Sequence, residues 1–175
     1  MTAVGDSVML GAAADLVRDI PRLELNAQEG RQVAVALDVL RQFKKDDQLG
    51  QIIVIHIGNN GVFTAHEFVE MMELLGTERQ VIVLNDKVPR PWEHPNNEMI
   101  AQEVPRYPNA TLVNWYALSH NDPGLFWGDG IHLRPQGAFF YARLISHAVQ
   151  EATLRLRSLV PLRDGSPTPA LPPAP

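Results

Sequence analysis

Gln51-Ile52-Ile53-Val54-Ile55-His56-Ile57, followed by Gly58-Asn59-Asn60-Gly61, is the stretch on which the architecture turns. A run of β-branched residues without polar alternation belongs to a strand covered on both faces, hence to a parallel sheet between helices. The Gly and Asn residues after it end the strand as a turn. Working outward, residues 2–4, 81–84 and 110–115 read as further strands, and a short one falls within 20–27, marked by Leu23 and Leu25. Residues 8–17 and 33–43 have helical apolar spacing, the latter at Val33, Leu37, Leu40 and Phe43. Thr64 and Glu67 form a capping box for a helix reaching Leu75, another helix covers 97–104, and Pro135 opens a last one running to about Leu156. Lys44-Lys45-Asp46-Asp47 reads as a solvated loop and residues 119–132 as a long one. Strands alternating with helices in this way predict a three-layer α/β/α sandwich with a mainly parallel central sheet and right-handed crossovers. Residues 1–160 form one domain on this reading, and the Pro-rich segment 161–175 is a disordered tail.

Composition narrows the function. The chain has 175 residues, 45% hydrophobic, enough for one sizeable core, and a formal net charge of −5. Its 15 Lys and Arg residues are dispersed, whereas binding nucleic acid needs them clustered, so nucleic acid is not an expected partner. Cysteine is absent, which excludes disulfides, thiolate nucleophiles, Cys-ligated zinc and iron–sulfur clusters. No apolar run approaches the roughly 20 residues that span a bilayer. The N-terminus shows no basic region leading into an apolar signal core. It enters a polar turn directly after Val4, as a piece of a larger protein would.

In open parallel sheets ligands bind beyond the carboxyl ends of the strands. Three turns fall there: Gly5-Asp6-Ser7, Gly58 to Gly61, and Asp129-Gly130-Ile131-His132 before the last helix. A serine hydroxyl is a weak nucleophile until a base takes its proton, and the base works best when a carboxylate fixes its tautomer. Ser7, His132 and Asp129 supply one of each, with acid and base three residues apart on one loop. At a strand-to-helix turn the first backbone amides of the helix are free to receive an oxyanion. Gly30 N–H and the Asn60 carboxamide are further candidate donors.

These blocks, Gly5-Asp6-Ser7, Gly30, Gly58-Asn59-Asn60 and Asp129-Gly130-Ile131-His132, resemble in order and spacing those of the SGNH (GDSL-like) hydrolase family. The resemblance covers about residues 3 to 150. Residues 3–11, Gly30-Arg31-Gln32, residues 55–61 and 129–133 look more narrowly like the SGNH domains fused to membrane acyltransferases that O-acetylate peptidoglycan or other surface polysaccharides. Gly61 stands where many lipolytic members carry Asp, which points the same way. The resemblance implies a flavodoxin-like sheet, Ser7 as nucleophile, His132 as base and Asp129 as its partner. It also implies an oxyanion hole of Ser7 N–H, Gly30 N–H and Asn60, with no cofactor and no metal. The expected activity is serine-dependent acyl transfer, as an O-acetyltransferase or acetylesterase on cell-surface polysaccharide. The expected partners are an acetyl donor, a carbohydrate or ester substrate and a membrane acyltransferase domain in the same or a partner chain. The expected location is extracytoplasmic, in the periplasm or at the cell surface.

Blander readings stand beside these. Ser7 alone would be a helix N-cap, Asn60 a turn residue tolerant of left-handed geometry, and Gly30 a relaxed turn. His56 reads as a packed core histidine, and His66, His94, His120 and His147 show no pairing with each other or with carboxylates that would make a metal site. Trp115 reads as the end of a strand. Trp127, two residues before Asp129, is a candidate wall of a sugar or acyl pocket. The rival functions are a free-standing small-ester or carbohydrate esterase and a catalytically silent carbohydrate-binding module. A signalling domain of the same fold would want an acidic cluster or a phosphate loop at the strand ends, and neither stands out.

Overall fold

The computed structural model describes residues 1–159, so the tail expected over 161–175 lies outside the described residues. The elements in chain order are β1 (Thr2–Gly5), α1 (Ser7–Gly11), α2 (Ala13–Asp19), β2 (Glu24–Ala27), α3 (Val33–Lys45), β3 (Ile52–His56) and α4 (Ala65–Leu75). They continue with β4 (Gln80–Leu84), α5 (Glu93–Glu103), β5 (Ala110–Val113), α6 (Trp115–Ser119) and α7 (Pro135–Leu159), with short 3₁₀ turns at Val104–Arg106 and Pro123–Leu125. All strand pairs are parallel, in the order β2-β1-β3-β4-β5. The chain therefore builds outward from β1 to β2, then crosses back to the other side of β1, and its switch point lies between β1 and β3.

The sheet separates two apolar layers. Ala3, Ile52, Val54, Ile82 and Leu84 pack with residues of α1, α2 and α7. Val4, Ile53, Ile55, Val81 and Val83 turn the other way, toward α3, α4 and α5. Every residue of β3 is buried, as its unbroken apolar sequence requires. Each such side chain taken fully from water contributes roughly 1.5–3 kcal/mol before entropy is counted. The expected three-layer sandwich is thus the observed one.

Several boundaries differ from the sequence reading. The single helix expected over 8–17 is two, because the backbone leaves helical geometry at Ala12 (φ −103°, ψ 7°). Helical geometry in α3 runs on through Lys44 and Lys45, whose charges suit the carbonyl end of a helix. Residues 93–96 extend α5 in front of the expected 97–104. Trp115 opens α6 rather than closing β5, because the Asn114 side chain accepts from Ala117 N–H and caps a helix there. Within 119–132 the chain holds the second 3₁₀ turn, and Phe126 pairs with Leu133 in an isolated antiparallel bridge. The Thr64–Glu67 capping box is present in both directions.

Candidate active site

Ser7 is the first residue of α1, directly after β1. Gly5 ends that strand where a Cβ would meet Met9 Cβ and Sδ at 2.6 Å, so only glycine lets α1 fold back this closely. The N-cap is Asp6, whose side chain accepts from Val8 N–H at 3.0 Å. Ser7 is therefore spared the capping role that its position alone suggests, and its hydroxyl points elsewhere. His132 Nε2 lies 3.1 Å from Ser7 Oγ, and His132 Nδ1 lies 2.7 Å from Asp129 Oδ2. The carboxylate can only accept, so Nδ1 carries the proton and Nε2 presents a lone pair to the serine.

Asp129 is fixed by its own loop. Its Oδ1 accepts from Ile131 N–H at 2.9 Å and from His132 N–H at 3.0 Å. Burial opposes ionisation of this carboxyl, but the hydrogen bonds from His132 and from the two backbone groups outweigh it and hold the group down at about 2. The carboxylate is charged at any pH where the enzyme would work.

The neighbours of β1 supply the two other loops. Gly30 follows β2 with φ +66° and open space where a Cβ would be, and Asn60 follows β3. Among the described residues only Arg22 and Asp47 combine a side chain with positive φ, so Asn60 is not there for left-handed geometry. Its Nδ2 is buried and has no hydrogen-bond partner. Adjacent Asn59 differs: its Nδ2 donates to Asp6 Oδ2 at 3.0 Å and faces His56 Nε2 at 3.2 Å. His56 is a packed core histidine as expected, fully buried, its Nδ1 2.8 Å from the Tyr141 hydroxyl. Burial lowers its pKa, so it stays neutral and serves as a link between α7 and the cap of α1.

Sequence reasoning gave no separate roles to the residues that hold these loops. Arg31 is buried and donates to Gly5 O, Asn26 O and Asn26 Oδ1, tying the Gly30 loop to β1. Gln32 Nε2 donates to Asn60 O at 2.9 Å and joins the two loops. Asn96 on α5 is fully buried; its Nδ2 donates to Gly58 O, Gly61 O and Asp86 Oδ2, while its Oδ1 accepts from Phe63 N–H. No spacing in the sequence joins Asn96 to Asn60. The one available signal was Gly30-Arg31-Gln32, where a buried arginine follows an exposed glycine.

Burial pushes the Asp86 carboxyl well above its ordinary range, against the opposing hydrogen bond from Asn96. A carboxyl whose pKa is raised by folding above the unfolded value near 3.9 supports the fold fully below that value and loses its contribution as pH rises toward the folded value. Asp86→Asn, permanently neutral, is expected to raise stability at pH 7 by on the order of 1 kcal/mol and to make little difference below about pH 4. Urea unfolding at the two pH values checks this.

Trp127 is 53% exposed, with the Arg134 guanidinium 5.2 Å from its ring centroid. It lines a hollow of about 340 Å³ beside the Asp129–His132 loop, with Lys87, His120, Phe126 and Gly130. A larger hollow of about 430 Å³ lies at the amino-terminal ends of β1 and β3, lined by Met1, Ile52 and Val149, and contains none of the candidate residues. His94 and His147 each have a carboxylate one turn on, Glu98 at 3.4 Å and Glu151 at 3.9 Å. Among the described residues no three such groups come together.

No family model matches the sequence. Curated relatives include the peptidoglycan O-acetyltransferase OatA of Listeria monocytogenes, 30% identical over 149 residues, 85% of this chain and 24% of that protein. The O-acetyltransferase OatA of Staphylococcus aureus is 32% identical over 136 residues, 77% of this chain and 22% of that protein. The chain thus spans about a quarter of the length of the curated relatives it matches. Among solved structures, the C-terminal catalytic domain of Streptococcus pneumoniae peptidoglycan O-acetyltransferase A superposes with a TM-score of 0.78 at 21% identity, over 87% of this chain and 93% of that one. A GDSL-like lipase from Bacteroides thetaiotaomicron gives 0.66 at 18% identity, over 86% and 87%. At those identities the structural likeness speaks for the fold.

Proposed function

We propose that this chain, which belongs to the SGNH (GDSL-like) hydrolase family, moves acetyl groups onto hydroxyls of cell-wall polysaccharide through an acetyl-Ser7 intermediate. The observation that carries the reading is the unbroken hydrogen-bonded line from Asp129 Oδ2 through His132 to Ser7 Oγ. In the first half-reaction His132 Nε2 takes the Ser7 hydroxyl proton while Oγ bonds to the donor's acetyl carbonyl. The resulting oxyanion is received by Ser7 N–H, Gly30 N–H and Asn60 Nδ2. Its collapse breaks the bond to the donor's leaving oxygen, which takes the proton from His132. In the second half, His132 takes the proton of a sugar hydroxyl, whose oxygen attacks acetyl-Ser7; the acyl–Oγ bond then breaks, Oγ takes the proton back from His132, and the acetylated sugar leaves. Water in place of the sugar would make the same site an esterase.

The relatives' names supply the acceptor class, and the family resemblance supplies the setting. A membrane acyltransferase domain in the same or a partner chain brings the acetyl group across the bilayer, and the chemistry takes place outside the cytoplasmic membrane. Among the described residues no helix is long and apolar enough to cross a membrane. The test uses the purified chain with p-nitrophenyl acetate, with and without cell-wall glycan fragments. Nitrophenol release that rises with acceptor, together with acetylated glycan in the products, is the expected result. Free acetate as the sole product at every acceptor concentration would make the chain an esterase, and no turnover at all would leave the binding-module reading in front.

A further inference from the structure

The hollow beside the Asp129–His132 loop is lined by two cations and no carboxylate side chain. The chain carries a formal net charge of −5, and three of its exposed arginines are matched by a neighbouring carboxylate: Arg18 with Asp15 and Asp19, Arg41 with Asp38 and Glu70, Arg106 with Glu103. Arg134 is instead spread over the face of Trp127, and Lys87 points its ammonium at Gly130 O, 3.0 Å away, and over the Phe126 ring at 5.0 Å. Both cations line the hollow, and no carboxylate side chain does. Asp129, on the adjoining loop, has its two oxygens committed to His132 and to the Ile131 and His132 N–H groups.

We infer that this hollow is a subsite for a carboxylate-bearing sugar of the acceptor glycan, with Lys87 and Arg134 as the anion's partners and Trp127 as the platform for the sugar ring. An ammonium has three donors and Lys87 spends one on Gly130 O; a guanidinium has five in a planar fork that matches a carboxylate. An exposed indole offers two broad apolar faces of the kind a sugar ring can cover, and the Arg134 guanidinium lies over one of them. His120 adds a directional contact. Its Nδ1 lies 2.9 Å from Tyr116 O and must donate to it, so neutral Nε2 is an acceptor for a sugar hydroxyl. The hollow adjoins the loop of the acid and base, since Gly130, between Asp129 and His132 in sequence, lies in its wall.

The inference rests on the acyl-transfer reading for its biological sense, and its test is kept apart from that chemistry. In a Ser7→Ala background, tryptophan fluorescence is followed while a uronic-acid-containing oligosaccharide, or its neutral carboxyl-reduced counterpart, is titrated in. The charged sugar is expected to bind about tenfold more tightly, with the preference shrinking as salt is raised. Arg134→Gln, an exposed position whose side chain holds no other element, should abolish most of that preference, and Lys87→Gln, which keeps a donor for Gly130 O, should weaken it too. Equal binding of the two sugars, or a preference untouched by both substitutions, would overturn the subsite, whatever the acetyl-transfer experiment shows.

Discussion

His132→Ala is expected to lower kcat for acetyl transfer by about 10⁴–10⁶-fold, and adding Ser7→Ala to it should cost almost nothing more. The two side chains act on one proton: without the imidazole Nε2 at 3.1 Å, the Ser7 hydroxyl has no base and remains an ordinary alcohol. Steady-state kinetics of the two single variants and the double variant decide it. Independent, multiplying losses would mean that the two residues do not work as a unit. The pH profile of the unaltered chain belongs to the same expectation. Asp129 titrates only at about 2, so the acid limb of kcat should follow a single proton, the one that occupies Nε2.

Asn60→Ala is expected to lower kcat by about 10²–10³-fold while leaving KM and the unfolding midpoint nearly unchanged. That separation follows from the unpartnered Nδ2. A side chain serving the fold would leave something orphaned when removed, and stability would fall. Neighbouring Asn59 is that second kind, its amide engaged by Asp6 and His56. Two like residues in sequence therefore have opposite signatures, and a thermal melt beside a kcat measurement reads them. A large loss of stability in Asn60→Ala with a proportionate loss of folded protein would place Asn60 among the structural residues.

What could be read from the chain depended on whether the signal was local. The buried strand at residues 52–56 was legible because its whole sequence is apolar, and the Thr64 helix start because both halves of the capping box lie three residues apart. The acid and base were legible for the same reason. The break at Ala12 was not, since the apolar spacing of residues 8–17 continues through it while the backbone turns. Trp115 was misplaced because its apolar character says buried without saying strand, and the deciding residue was the cap before it, Asn114. The supports of the site were the least legible. Tyr141 reaches His56 across 85 positions, and Asn96 reaches Gly61 O across 35. Such contacts are set by how layers stack, and nothing in residue spacing encodes them.

The separation of 125 positions between Ser7 and His132 has a bearing on how the protein is made. Ser7, the Gly30 loop and the Asn60 loop follow three adjoining strands, β1, β2 and β3, and all precede His132 in the order of synthesis. Asp129 and His132 come after them and together, on one short loop before α7. On the proposed chemistry a nascent chain holds Ser7 without its base until residue 132 has been made. On that reading Ser7 gains the base and the base's carboxylate together, because one loop carries both.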